Sequence, residues 1–173
     1  MEKIKISRYS SPVGELILGS LGNELCMCDW VSEKQPFASC QRICRHLGGE
    51  WEEGSSEVIE LAAGQLDEYF RGQRSEFSVP VKFAGTRFQK MVWAGLLTIP
   101  YGTTVSYAEV AWSINNPNGV RAVASAIARN PISIIVPCHR VIGSNGKLTG
   151  YAGGLAAKQH LLALEQVSST KIL

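Results

Sequence analysis

The feature that most constrains this 173-residue chain is a change of hydrophobic rhythm near Ala84-Gly85. Before that point, "KIKISRY", "GELILGS" and "NELCMCDW" alternate apolar with polar residues and are split by the turn-forming "SSPVG" and "LGN". Period-two alternation suits strands that bury one face, so the first thirty residues predict a β-meander. After that point, apolar residues recur every three to four positions in short stretches, which is the rhythm of short helices. The expected class is α+β. A small antiparallel sheet with helices should form an N-terminal α/β domain over 1–84, and a helical C-terminal domain should span 85–173.

Finer signals place the elements. Residues 36–47 predict a helix ended by Gly48-Gly49. A second helix is expected over 57–70, with Val58, Leu61, Ala62, Leu66, Tyr69 and Phe70 on its apolar face. "FSVPVKF" alternates, but Pro80 demotes it to an edge strand or extended linker. In the second half, Thr86 caps a helix to about Thr98, with Phe88, Val92, Leu96 and Ile99 inward. Ser106 and Glu109 form a capping box for a short helix through Trp112, and a third helix covers 120–129. Helix, turn, helix, turn, helix is the outline of a helix-turn-helix unit.

Charge separates the halves further. Residues 1–84 carry 9 Lys and Arg against 13 Asp and Glu, whereas residues 85–173 carry 8 against 2. The basic half suits a polyanionic partner, nucleic acid above all, although the two halves could also simply attract each other. In the third helix, Val120, Val123 and Ile127 share one face, while Arg121, Ala122, Ser125, Ala128 and Arg129 share the other. A solvated face normally carries Lys and Glu. A small-plus-arginine face suits close approach to DNA, with ordinary helix propensity of alanine as the competing explanation.

Five cysteines are an odd number, and the N-terminus shows no apolar signal segment, so a disulfide framework is not expected. Cys26, Cys28, Cys40, Cys44 and His46 could be a zinc set. Cys40, Ile43, Cys44 and Leu47 follow helical spacing and Cys26 and Cys28 share one strand face, so these thiols read instead as small core residues, with no metal or other cofactor expected. No apolar run is long enough to span a membrane, and a soluble, cytoplasmic or nucleoid-associated protein is expected.

The chemistry gathers at "NPISIIVPCHRVIGSNG". Ile132 to Val136 reads as a buried strand or extended segment that Pro137 ends, delivering Cys138, His139 and Arg140 to the edge of a cleft. An ordinary thiol with a pKa near 8.5 is only about 3% thiolate at neutral pH, so a nucleophilic Cys138 needs a base, a cation or a helical turn beside it. His139 and Arg140 could serve, although Cys-His neighbours also arise by chance. Glu165 borders the apolar face of a helix expected over 155–166, where a carboxylate needs a partner. It could orient His139 as His139 takes the thiol proton, or it could be a helix-end residue with no role. Asn145-Gly146 signals a hairpin or wing-like turn, and "GYAGG" offers exposed amides and a ring that could wall a flat pocket.

"NPISIIVPCHRVIGSNGKLTGYAGGL" resembles the active-site signature of the O6-alkylguanine-DNA alkyltransferases (methylated-DNA–protein-cysteine methyltransferases). "GTRFQKMVWAGLLTIPYGTTVSYAEVA" and "KQHLLALE" are similar to the same family, and "SSPVGELILGS" and "QLDEYFRG" more weakly so. The resemblance implies an RNase H-like N-terminal domain, a winged-helix-like C-terminal domain and repair of DNA by stoichiometric, irreversible transfer of an alkyl group from guanine O6 to Cys138. O4-alkylthymine is left as an open second substrate. The resemblance also implies that His139, through a water, is the base, that Glu165 polarises it, and that Tyr107 donates to the departing guanine. Arg121 would fill the gap left by a flipped nucleotide and Asn130 would brace the turn. Val141 and Ala152 would offer backbone groups to the base, with Lys158 close by, and Ala122 and Ser125 on the minor-groove face. The partner implied is double-stranded DNA containing O6-alkylguanine, bound by a monomer away from any membrane. Ala124 stands where the family often has glycine. A lesion sensor that binds without reacting and a thiol hydrolase are the competing classes.

Overall fold

The computed structural model describes the backbone of residues 2–172 and the side chains of residues 2–166. The chain divides into two compact units, Met1–Gly85 and Thr86–Leu173. Among the described residues, no helix is long and apolar enough to cross a membrane.

The first unit is a four-stranded sheet with two helices. Strands β1 (Ile4–Ser11), β2 (Gly14–Leu21) and β3 (Glu24–Trp30) form the expected antiparallel meander. A short strand β4 (Trp51–Glu53) lies parallel to β1, giving the order β3-β2-β1-β4. Three residues carry too little alternation to announce a strand, so β4 was not legible in the sequence. Helix α1 (Ala38–Leu47) makes the crossover that a parallel pair requires, and it ends on Gly48, whose φ of 71° forms the left-handed cap.

Helix α2 (Glu57–Phe70) starts at Ser56, whose side chain accepts from the Ile59 amide. Its buried face is Val58, Ile59, Ala62, Leu66 and Tyr69, and Leu61, expected inward, is 43% exposed. The expected shared face for Cys26 and Cys28 is also corrected. A bulge opposite Gly19 and Ser20 breaks the alternation of β3. Cys26 packs with Ile4, Ile6, Met27 and the α1 residues Cys40 and Ile43. Cys28 instead lies near Tyr9, whose hydroxyl donates to Asp67 of α2. Burial pushes the Cys26 thiol up to about 12 and Cys40 to about 11, as befits core residues rather than reactive ones. The 77–83 segment makes one parallel bridge, Leu25 with Val81. Its bonds run from Leu25 N to Pro80 O and from Lys82 N to Leu25 O; Pro80 has no N–H with which to extend the ladder.

The second unit is built on helices. Helix α3 (Arg87–Leu96) opens with a Thr86–Gln89 capping box and α4 (Tyr107–Ser113) with a Ser106–Glu109 box. Helix α5 (Val120–Ala128) buries Val123, Ala126 and Ile127 and leaves Arg121, Ala122, Ser125, Ala128 and Arg129 exposed. Trp93 of α3 is buried, and its indole N–H donates to the Ala126 carbonyl at 2.8 Å, tying α3 to α5.

Ile132 to Val136 is buried as expected but is a compact turn rather than a strand, with Ile134 at φ 71°. A 3-10 turn, Cys138–Arg140, follows. Two-residue strands β5 (Val105–Ser106) and β6 (Val141–Ile142) then pair in parallel. Of the hairpin or wing-like turn expected at Asn145-Gly146, the structure has the turn, closed by Gly143 N to Lys147 O at 2.9 Å, and β6 pairs with β5 rather than with a returning strand. Helix α6 (Leu155–Ile172) completes the unit.

Thr86 is exposed and lies apart from the chemistry described below, so it isolates the value of a cap. Thr86→Ala is expected to lower stability by about 1 kcal/mol in urea unfolding, with the slope of the transition unchanged.

Candidate active site

The 3-10 turn begins directly after Pro137 and makes Cys138, His139 and Arg140 part of the interior. Cys138 keeps 8% exposure because it opens onto a cavity of about 280 Å³. Tyr107 at the start of α4, Ala124 and Ala128 of α5, Ser133 of the buried turn and Gly150 to Ala152 of the following loop line that cavity. A larger hollow of about 620 Å³ in the first unit borders Cys44 and Trp51, but burial pushes the Cys44 thiol up and no base is bonded to it among the described residues. The chemistry therefore belongs to the Cys138 cavity.

Behind Cys138 lies a buried ionic cluster. Glu165, 1% exposed on α6, accepts from His139 Nε2 at 2.6 Å and from Arg140 Nε at 2.8 Å and Nη2 at 3.1 Å. The Gly102 amide reaches it at 3.4 Å. The third nitrogen of Arg140, Nη1, donates to the Ile99 carbonyl at 2.7 Å, and the guanidinium lies 5.5 Å from the centre of the Tyr101 ring. The sequence suggested Arg140 as a cation for the thiol; the structure puts its guanidinium on Glu165. Any carboxylate near a helix end could hint at such a clamp, but only the folded turn shows which cation reaches it.

Protonation follows from these contacts. Burial by itself would raise the Glu165 carboxyl, but hydrogen bonds from His139 and Arg140 hold it down at about 2. Burial pushes the His139 imidazole below its usual value. The ring is therefore neutral near pH 7. An ionised carboxylate only accepts, so Nε2 carries the ring proton and Nδ1 is the accepting nitrogen. Nδ1 is buried with no hydrogen-bond partner among the described atoms. A neutral imidazole with a fixed tautomer and an uncommitted acceptor is the form that can take a proton.

The turn itself is held by Asn130, which follows the end of α5. Its Nδ2 donates to the Val136 carbonyl at 2.9 Å and its Oδ1 accepts from the Ile132 amide at 3.0 Å. A β-branched residue at positive φ costs about 1–3 kcal/mol, and these bonds hold Ile134 there. Lys158 is buried, and its Nζ donates to the Val141 carbonyl at 2.7 Å and reaches the Thr149 carbonyl at 3.4 Å. Burial lowers the amine's pKa, and the nearby Cys138 partly offsets that.

Among the residues nominated from sequence, Cys138, Tyr107, Asn130 and Ala152 line the cavity, and His139 and Glu165 are bonded to each other. Val141 lies outside the lining with its carbonyl already engaged by Lys158. Arg121, Ala122 and Ser125 stand on the exposed face of α5, outside the cavity that Ala124 of the same helix helps to line. Tyr151, the ring of the "GYAGG" loop expected to wall a pocket, lines the cavity, and so does Ser133, which was not nominated.

Known proteins resemble the chain along nearly its whole length. Residues 87–167 match the family model described as 6-O-methylguanine DNA methyltransferase, DNA binding domain, and residues 4–83 match its ribonuclease-like domain. The methylated-DNA–protein-cysteine methyltransferase of Methanosarcina acetivorans is 44% identical over 157 residues, covering 91% of this chain and 95% of that protein. That of Mycobacterium leprae is 45% identical over 156 residues, covering 90% and 88%. The crystal structure of Mycobacterium tuberculosis O6-methylguanine methyltransferase superposes with a TM-score of 0.79 at 40% identity, over 97% of this chain and 94% of that one. A structure of the M. tuberculosis protein in complex with DNA gives 0.80 at 41%, over 95% and 94%.

The cluster predicts an acid-sensitive fold. A depressed carboxyl stabilises the folded state fully above its unfolded value of 4.5, and that stability is lost as pH falls toward about 2. The buried neutral imidazole adds to the loss, since below 6.5 only the unfolded state takes up its proton. Glu165→Gln leaves Arg140 buried beside a neutral amide and is expected to cost about 3–5 kcal/mol at pH 7. The variant should lose less stability than the wild type between pH 4.5 and 2, as read by urea unfolding at a series of pH values.

Proposed function

Because the chain belongs to the 6-O-methylguanine DNA methyltransferase family, we propose that Cys138 is the cysteine onto which it moves an alkyl group from DNA. The protein is a DNA-binding methyltransferase that repairs DNA by direct transfer to itself. The observation that carries the assignment of Cys138 is its position at the cavity, with the next residue, His139, bonded to Glu165.

The chemistry balances as follows. The Cys138 proton goes to His139 Nδ1, directly or through one water, while Glu165 steadies the cation that forms. The sulfur attacks the alkyl carbon, an S–C bond forms and the C–O6 bond breaks. The guanine, left with an extra electron pair, takes back one proton, with Tyr107 donating toward the ring. The products are a thioether and guanine. A thioether sulfur is a poor leaving group, so each chain reacts once.

O6 lies on the paired, major-groove edge of guanine, so a protein that approaches through the minor groove reaches it with a buried thiol only when the alkylated nucleotide turns out of the stack. The exposed face of α5 suits the minor groove. Ala122 and Ser125 are small enough for close approach, and Arg121 at the start of the helix is long and cationic enough to fill the gap. Asn130 keeps the turn in register, Lys158 holds Val141 and the 149 region together, and Ala152 offers backbone to the base. All these residues lie in 85–173, which acts as the DNA-binding and catalytic domain beside a ribonuclease-like domain over 1–84. One chain carries the whole set, so a monomer suffices, working in the cytoplasm or wherever the DNA lies.

Intact-protein mass after mixing with a duplex containing O6-methylguanine should rise by one CH₂ per chain, with peptide mapping placing it on Cys138. Cys138→Ala should take up nothing while still binding the duplex. Full binding by the wild type with no mass gain would instead make the protein a lesion sensor. Arg121→Ala should slow transfer from duplex DNA more than from a single strand, where no stack has to be opened, in parallel single-turnover assays.

A further inference from the structure

The loop from Gly143 to Gly154 supplies one wall of the cavity, and two separate contacts secure it at Thr149. The Thr149 carbonyl lies 3.4 Å from Lys158 Nζ, and its hydroxyl lies 2.6 Å from the Tyr107 hydroxyl. Tyr107 lines the cavity, and so do Gly150, Tyr151 and Ala152, the residues directly after Thr149. The side-chain contact therefore spans from the start of α4 to the loop wall.

A hydroxyl has one proton to give and two lone pairs with which to accept. If Tyr107 donates to Thr149, its proton is spent on the loop. If Thr149 donates to Tyr107, the Tyr107 proton is released toward the cavity while its oxygen is still held. A ring acceptor arriving in the cavity selects the second arrangement, because it makes two hydrogen bonds where the first makes one, and each polarises the other. Resting on the transfer reading above, we propose that Thr149 is a positioning residue for the reaction: its hydroxyl donates to the Tyr107 oxygen and so aims the Tyr107 proton at the departing base.

The contact to Lys158 uses the Thr149 main chain, so the wall keeps that anchor when the hydroxyl is removed. Thr149→Val keeps the branched shape and removes only the hydrogen bond. Loss of one such bond in the transition state slows a reaction about 3- to 10-fold.

The test is the first-order rate of methyl transfer from an O6-methylguanine duplex at saturating protein. It is measured for the wild type, Thr149→Val, Thr149→Ser, Tyr107→Phe and the double variant Thr149→Val with Tyr107→Phe. Thr149→Val should be slower by about 3- to 10-fold with its affinity for the duplex unchanged, and Thr149→Ser should restore the rate. In the Tyr107→Phe background, Thr149→Val should bring no further loss, because the group it acts through is gone. The role is overturned if Thr149→Val reacts as fast as wild type, or if it costs the same factor in both backgrounds. A wild type that takes up no methyl overturns the transfer reading itself and the positioning role with it.

Discussion

A carboxylate that is 1% exposed must be matched or it will not stay ionised, and Glu165 is matched by donors from His139, Arg140 and Gly102. Those donors come from the 3-10 turn and from the chain after α3, while Glu165 comes from α6. One charge thus ties together three parts of the second unit. Removing two ions from water is expensive, and their attraction offsets that only when the geometry is good and the remaining donors are used. Arg140 engages each of its three nitrogens, two on Glu165 and the third on the Ile99 carbonyl. The hydrogen bonds from His139 and Arg140 keep Glu165 ionised against its burial, and the accepting carboxylate fixes the tautomer of His139.

The backbone beside this cluster is strained, and the strain has a use. Ile134 at φ 71° folds an apolar run back on itself, so that Cys138 arrives at a cavity wall instead of continuing along a strand. Asn130 supports the fold-back through both ends of its amide. It also stands just after the Arg129 cap of α5, whose outer face is small and flanked by arginines. Helix α5 and the turn that carries the thiol therefore share one joint at Asn130.

The charge pattern gains meaning from the same contacts. Of the two acidic residues of the second half, Glu165 is held in the buried cluster, while Glu109 is exposed in its capping box. Among the described residues Arg140 and Lys158 are also buried, but Arg87, Lys90, Arg121, Arg129 and Lys147 are exposed. The exposed charges described in this unit are therefore mainly positive, which suits a phosphate backbone.

Much of this was legible in the sequence. The two rhythms, the Thr86 and Ser106 capping boxes, the Gly48 stop and the inward residues of α5 depend on neighbours within a turn or a strand pair, so local pattern determined them. The same holds for the nomination of Cys138, His139 and Glu165, since a thiol, an imidazole and a half-buried carboxylate are conspicuous wherever they stand. Tertiary structure alone decided the rest. An apolar run such as Ile132 to Val136 reports burial but not direction, so it reads alike as strand or turn. The burial of Leu61 was misjudged because what covers a helix face is set by the sheet beneath it. Three residues of β4 form a strand only because β1 lies alongside. Arg140 was nominated for the thiol and went to Glu165, because a buried cation goes to whichever anion the packing leaves without water, and that anion stands 25 residues away in the chain.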